Sequence, residues 1–254
     1  MRSLTIFKKE IKLYFVSPIA YVVILIFSVI TGIIFYALVA SYSILSMRYG
    51  GQPYYWITLS PNEMIIRPLF HNMAITSLFI LPLLTMRLFS EEKRSDTIEL
   101  LFTYPVRDFD ILCGKFLACV SVFLIMIALP LIYIFIMERW IDFDKLILLN
   151  GYIGLILLAG AFISVGIFIS SLTESQIIAA TITFGVSLLF WLIGWLSDIV
   201  EKYGNFFTYI SLYHHFENFT KGILDTRDVI FYLSFIVFFS YLTLKILLTK
   251  KYRG

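Results

Sequence analysis

Charge is scarce in this chain, and its scarcity excludes whole classes of function. Only 15% of the 254 residues are charged, whereas 60% are hydrophobic, a balance outside the range of soluble globular domains. No Asp, Glu, Lys or Arg lies well inside any of the long apolar runs, although ion-coupled carriers and proton relays need ionisable groups at that depth. The composition therefore predicts an integral membrane protein and disfavours secondary active transport.

Sequence motifs for nucleotide and zinc chemistry are also lacking. Gly114 and Lys115 are followed by Phe116 and preceded at the required distance by Phe109, so they do not form a phosphate loop. The chain has three histidines and no His-Glu-x-x-His sequence, which leaves a membrane metalloprotease few ligands. We therefore expect no enzyme activity and no cofactor or metal bound by this chain.

Cysteine is nearly absent. Cys113 and Cys119 are six residues apart, one beside a predicted membrane interface and the other within a predicted span. This placement suits neither a disulfide nor a metal site. We assign the two cysteines no role.

Six apolar runs are each long enough to cross a bilayer core, which needs roughly 20 residues. The predicted spans cover residues 19–41, 67–88, 115–137, 147–171, 176–197 and 229–248. The segments between them are too short for a soluble catalytic domain, which needs on the order of 100 residues. We expect an all-α membrane protein with six transmembrane helices, formed as one domain over residues 1–254.

Lysine and arginine are concentrated beside one set of span ends. An even number of spans places both termini on this side, together with most of the 20 basic residues. Because basic flanks are retained in the cytoplasm, both termini are predicted to be cytoplasmic. The net charge of +3 reflects this topology and gives no indication of nucleic-acid binding.

The N-terminal residues 1–17 are predicted to form an amphipathic helix lying in the headgroup plane. Its apolar residues share one helical face and its lysines lie away from that face. The alternative is a solvated basic flank that only sets the topology. The residues of this interfacial helix are Phe7, Lys8, Lys9, Ile11, Lys12, Tyr14 and Phe15.

A charged segment with helical potential, residues 89–114, lies between the second and third runs. Asp96 is a candidate N-cap and Glu99 occupies the reciprocal capping-box position, so a short helix is predicted to begin at Asp96 and to end before Pro105. One face of this helix is apolar: Ile98, Leu101 and Phe102. A helix of roughly two turns is not stable alone in water, so we expect its apolar face to dock against another protein.

Residues 198–228 are too apolar for a free loop and too interrupted by polar residues to span a membrane. They are predicted to form short helices that dip into the outer leaflet before span six. His214 and His215 lie in this segment, but adjacent helical residues point about 100° apart. We therefore assign them no metal.

A stripe of small residues runs along the fifth predicted span: Ala179, Thr183 and Ser187. Such stripes let helix backbones approach closely in lipid. Packing within one bundle and packing against a second subunit are both open.

Several sequence blocks, spread over nearly the whole chain, resemble a known family. They are Ser17 to Tyr21, Phe89-x-Glu-Glu with Thr97 to Leu101 and Pro105, Ser170 to Gln176, and His215-Phe-x-x-Phe-x-Lys-Gly with Asp225 and Asp228. With its six spans, the chain resembles the ABC type 2 permeases, the membrane subunits of ATP-driven exporters. The first, third and fourth blocks are similar to the gliding-motility-type branch. Many members have Gly where this chain has Asp96, which we interpret as exchanging a flexible helix start for an N-cap.

The resemblance implies that the helix at 96–103 is a coupling helix that fits a groove in a separate ATP-binding subunit. It implies two copies of that subunit, which bind ATP and Mg, and a second permease half that is either an identical or a similar chain. It places the protein in the bacterial cytoplasmic (inner) membrane, in contact with lipid. The residues expected at the ATPase contact are Glu91, Glu92, Asp96, Thr97, Ile98, Glu99, Leu101 and Phe102.

Two further functions remain open. A non-transporting membrane anchor would recruit a cytoplasmic partner through the same short helix. An intramembrane enzyme would need polar residues that converge at one depth, for which His71, His214 and His215 are the candidates. The sequence does not identify the substrate of a permease, because apolar linings are chemically permissive.

Overall fold

The structure, a computed structural model, describes residues 2–49, 60–97, 107–199 and 204–253. Within these ranges every regular element is a helix. Six helical stretches are long and apolar enough to cross a membrane. The predicted all-α protein with six spans is therefore confirmed.

The spans follow one another with short connections. The N-terminal helix, Arg2–Val16, leads directly into span one, Pro18–Tyr49. Span two consists of three consecutive pieces: a π-helical turn Asn62–Ile66, a helix Arg67–Thr85 and a helix Arg87–Arg94. The remaining elements are span three, Asp108–Met137, span four, Lys145–Leu172, span five, Gln176–Ile199, the short helices Gly204–Ile210 and Leu212–Thr220, and span six, Thr226–Arg253.

Each observed span contains its predicted apolar run, and most extend beyond it. Span three begins at Asp108, seven residues before the predicted start at residue 115. The difference has a simple cause, because hydropathy marks only the apolar part of a helix, whereas backbone hydrogen bonds continue into polar flanks.

Span four is the central element of the fold. It packs against spans two, three, five and six and against the short helix Leu212–Thr220. Glycines on span four allow the close approach: a Cβ at Gly166 would lie 2.1 Å from Oγ1 of Thr85, and one at Gly154 would lie 2.5 Å from Cβ of Phe219. Spans one, five and six are mostly exposed in the single chain.

The small-residue stripe of span five lies inside this bundle. Ala179, Thr183 and Ser187 are all fully buried within the single chain, where span five packs against spans two and four. In the single chain the stripe therefore packs within one bundle, and packing against a second subunit stays a prediction.

Two short helices precede span six, and buried polar contacts attach them to it. Nδ1 of His215 lies 2.5 Å from Oδ1 of Asp228, and Nε2 lies 3.0 Å from the Tyr209 carbonyl oxygen. Asn218 donates to the other oxygen of Asp228 at 2.9 Å, and the His215 ring stacks on Phe231 with centroids 4.0 Å apart. His215 thus has a structural role that the sequence did not indicate, while the depth of this segment in a membrane stays a prediction.

Candidate functional site

The predicted docking segment falls partly outside the described residues. Ile98, Glu99, Leu101 and Phe102 belong to residues 98–106, which lie outside them. The candidate site is therefore built from the elements that flank this segment. Before the segment lie the helix Arg87–Arg94 and, following that helix, Asp96 and Thr97. After the segment lies the beginning of span three.

A buried cation joins both flanks to the N-terminal helix. The side chain of Lys115, on span three, is 1% exposed, and its Nζ lies 2.9 Å from Oε1 of Glu10 and 3.0 Å from Oε1 of Glu92. The same ammonium donates to the Leu88 carbonyl at 2.6 Å. An ammonium has three N–H donors, so each has an acceptor here. We call Glu10, Glu92 and Lys115 the charged junction.

The electrostatics of the charged junction favour one arrangement of its helices. A second cation, the half-exposed Lys9, lies 3.5 Å from Oε1 of Glu92, so two carboxylates face two ammonium groups. The Phe89 ring covers the ammonium of Lys115 at 5.0 Å. Removing a charge from water is costly unless it is paired, so loss of Lys115 leaves the buried Glu10 carboxylate without its cation.

Tyr14 makes a second polar contact between the N-terminal helix and the spans. Its hydroxyl donates to the Leu84 carbonyl at 2.8 Å and lies 2.9 Å from Sγ of Cys119. Because the hydroxyl carries only one hydrogen, we infer that the thiol is the donor to the tyrosine oxygen. The Arg87 guanidinium lies 4.5 Å above the ring. Burial raises the pKa of Tyr14 well above its usual value, so the hydroxyl keeps its proton and remains a donor.

Shape as well as charge seats the N-terminal helix on span three. A Cβ at Gly114 would lie 2.8 Å from Cγ2 of Ile6 and 3.1 Å from the Ser3 carbonyl oxygen. Only glycine allows the two backbones to approach so closely at this point. Gly114 directly precedes Lys115, so packing and charge act at the same place.

The end of span four is tied to the same region through Ser170. Its hydroxyl accepts from the backbone N–H groups of Phe89 at 3.0 Å and Ser90 at 3.1 Å, and it donates to the Met86 carbonyl at 3.0 Å. An inserted side chain of this kind is a recognised cause of a break in a helix, and span two breaks here. Lys93 also donates to the Ser171 carbonyl.

The predicted contact residues divide into two groups. Glu91, Asp96 and Thr97 are exposed beside the undescribed residues 98–106. Glu92 instead turns inward, with its side chain 15% exposed in the charged junction. Whether the first group contacts an ATPase stays a prediction.

The N-terminal helix has the two faces predicted for it. Phe7, Ile11 and Phe15 are partly buried, whereas Lys8, Lys9 and Lys12 are exposed. Its location in a headgroup plane stays a prediction. The sequence analysis missed Glu10, although Glu10 is four residues before Tyr14 and therefore lies on the same face; a carboxylate on an apolar face was the available signal.

The backbone at Asp96 differs from the usual geometry of the predicted N-cap. Asp96 has a φ of +53°, whereas an N-cap commonly has extended backbone, and its N–H donates to the Lys93 carbonyl at 3.1 Å. Asp96 is therefore the left-handed residue that follows the helix Arg87–Arg94, a position that favours glycine. The N–H groups that Asp96 would cap belong to residues 98–106, outside the described residues, so the N-cap stays a prediction.

The charged junction borders a polar cleft of about 430 Å³. The cleft lies between the N-terminal helix, the beginnings of spans one and five, and the helix Arg87–Arg94. Glu91, Ser95 and Thr97 line its edge on the side of residues 98–106. The junction is therefore adjacent to the predicted docking segment.

Comparison with known proteins gives a family match. A family model described as ABC-2 family transporter protein matches residues 61–248. The match covers more than half of the chain and includes Glu92, Lys115 and Ser170, whereas Glu10 lies before it. No curated protein matches the chain.

Proposed function

The chain belongs to the ABC-2 family of transporter proteins, and from this membership we propose that it is the permease subunit of an ATP-driven exporter. The family implies a partnership with an ABC ATP-binding subunit and a multi-pass location in a membrane. In our proposal, ATP and Mg bind only that partner, in two copies, and hydrolysis takes place there. This chain contributes no catalytic residue.

The charged junction is the observation that carries the proposal. Residues 98–106 are preceded by Glu92 and followed by Lys115, and these two side chains are bonded to each other at 3.0 Å. A push on the docking segment by the ATPase therefore acts on both ends of a closed loop. Lys115 passes the displacement to the N-terminal helix through Glu10.

Ser170 extends the same path to the centre of the bundle. It bonds the backbone at the break of span two, and span four packs against four other spans. Packed helices change between discrete arrangements and do not deform continuously. In our proposal, nucleotide-driven movement of the docking segment switches the spans between such arrangements.

The proposed transport cycle requires a second permease half. We propose that two halves, identical or similar, form a path that opens alternately to each side of the bacterial cytoplasmic membrane, with both termini of each chain in the cytoplasm. The family match supports the ABC-2 family and no particular branch, so similarity to the gliding-motility-type branch rests on the sequence blocks alone. The substrate remains open.

Affinity purification tests the proposal. The tagged chain is isolated from its native membrane in mild detergent, and co-purifying proteins are identified by mass spectrometry. We expect an ATPase with a phosphate loop, and we expect Glu99→Lys to reduce its recovery at least tenfold. Asp142→Lys is the matched control, because Asp142 is exposed at the opposite end of span three. A reproducible partner without a phosphate loop would support the non-transporting anchor instead.

A further inference from the structure

Spans three and four form an apolar groove toward the end of span three that is remote from the charged junction. Span three runs from the junction to Met137, and the groove lies along its second half. It has a volume of about 610 Å³, and its walls include Leu124, Leu131 and Phe135 of span three and Leu149 of span four. Leu124, Phe135 and Leu149 are partly exposed, so the groove opens sideways toward the lipid around the bundle.

A charged pair marks one end of the groove. Glu138 and Lys145 both line it, and Nζ of Lys145 lies 3.5 Å from Oε1 of Glu138. The side chain of Lys145 is 85% exposed and that of Glu138 is 29% exposed. Since these residues end span three and begin span four, the pair lies where headgroups meet the hydrocarbon. An anionic group and a cationic group can both be received there.

Tyr152 lies farther inside. Its ring lines the groove, whereas its hydroxyl oxygen is buried away from the groove, and the Phe70 ring packs edge-on against Tyr152 at 5.2 Å. The inner part of the groove is therefore apolar. Polar groups at the rim and an apolar groove below match a headgroup followed by an acyl chain.

We propose that this groove binds one glycerophospholipid with a zwitterionic ethanolamine headgroup. The phosphate lies on Lys145, and the headgroup ammonium lies on Glu138. One acyl chain fills the apolar walls. The charge pair favours a zwitterion because a purely anionic headgroup would leave Glu138 facing a like charge. This inference goes beyond the proposed transport function and does not depend on it.

Native mass spectrometry of the delipidated full chain with added dioleoyl-phosphatidylethanolamine tests the site. We expect one tightly retained lipid per chain. Ala128→Trp, which fills the groove from an exposed position, should abolish retention, whereas Ala37→Trp, exposed on span one, should preserve it.

Several results would overturn the site. Equal retention in Ala128→Trp and Ala37→Trp would remove the groove as the binding place. Equal affinity for dioleoyl-phosphatidylglycerol would remove the zwitterion assignment. If Ala128→Trp does not fold, Leu149→Trp fills the groove from its other wall and must give the same loss.

Discussion

Lys115 connects three helices that are distant in sequence. Its partners are Glu10, 105 residues earlier, and Glu92 on the other side of the docking segment. Sequence analysis counted Lys115 only as a basic residue beside a span. Nothing local distinguishes a lysine that pairs across the fold from one that faces water, because the pairing depends on where tertiary packing brings Glu10.

Replacing Lys115 tests the charged junction. Lys115→Met should lower the free energy of unfolding by about 3–5 kcal/mol, because it leaves Glu10 and Glu92 buried without their cation. The half-exposed Lys9 provides the control, and Lys9→Met should cost less than about 1 kcal/mol. Chemical unfolding of the purified chain in detergent measures both.

A double variant shows whether the charges of Glu10 and Lys115 interact with each other. If the charges are coupled, Glu10→Gln combined with Lys115→Met should cost less than the sum of the two single changes. Additive costs, or equal costs for Lys115→Met and Lys9→Met, would mean that Lys115 contributes no more than a surface pair.

The backbone at Asp96 leads to a second prediction at the residue scale. Its φ of +53° favours Gly, so Asp96→Gly should leave the end of the helix Arg87–Arg94 as stable as before. Asp96→Ser should destabilise it by about 1 kcal/mol, because serine is strained in the left-handed region. Hydrogen exchange of residues 87–97 measures both changes. An N-cap would give the opposite order, since serine caps a helix better than glycine.

At the scale of elements, the N-terminal helix is held to span three by contact at Gly114. Because a Cβ there would lie 2.8 Å from Cγ2 of Ile6, Gly114→Ala should displace the helix and increase tryptic cleavage at Lys8, Lys9 and Lys12 several-fold. Gly185→Ala is the matched control, since nothing lies within 4 Å of the added Cβ. Limited proteolysis in detergent compares the two.

A compensating change makes this prediction specific. Ile6→Ala should restore protection to the Gly114→Ala chain by removing the side chain that the new methyl group meets. If cleavage stays fast in the double variant, or if Gly185→Ala increases it equally, the contact between Ile6 and Gly114 does not seat the helix.

The helices could be predicted from the sequence far better than their contacts. Long apolar runs require helices in a membrane, so all six spans were located. The stripe of Ala179, Thr183 and Ser187 fits packing within or between subunits equally well, and only the fold shows that it is buried. The left-handed turn at Asp96 could not be predicted, because aspartate suits both an N-cap and a left-handed position.

At the scale of the whole molecule, the bundle has two different ends. One end carries the charged junction beside the docking segment. The other end carries the groove between spans three and four, together with the short helices that the contact between His215 and Asp228 attaches to span six. Composition predicted a membrane protein, and the sequence blocks predicted its family. The connection from residues 98–106 to the N-terminal helix could not be predicted, because it depends on side chains that meet only in the folded chain.

The most direct test of the account is hydrogen exchange of the complex with its ATPase, compared without nucleotide and with nucleotide trapped by vanadate. The account predicts that protection changes together in residues 2–16, 87–97 and 108–115. In Lys115→Met, the change should remain in residues 87–97 and should not reach the N-terminal helix. If the protection of the wild-type N-terminal helix is the same with and without trapped nucleotide, transmission through the charged junction is contradicted.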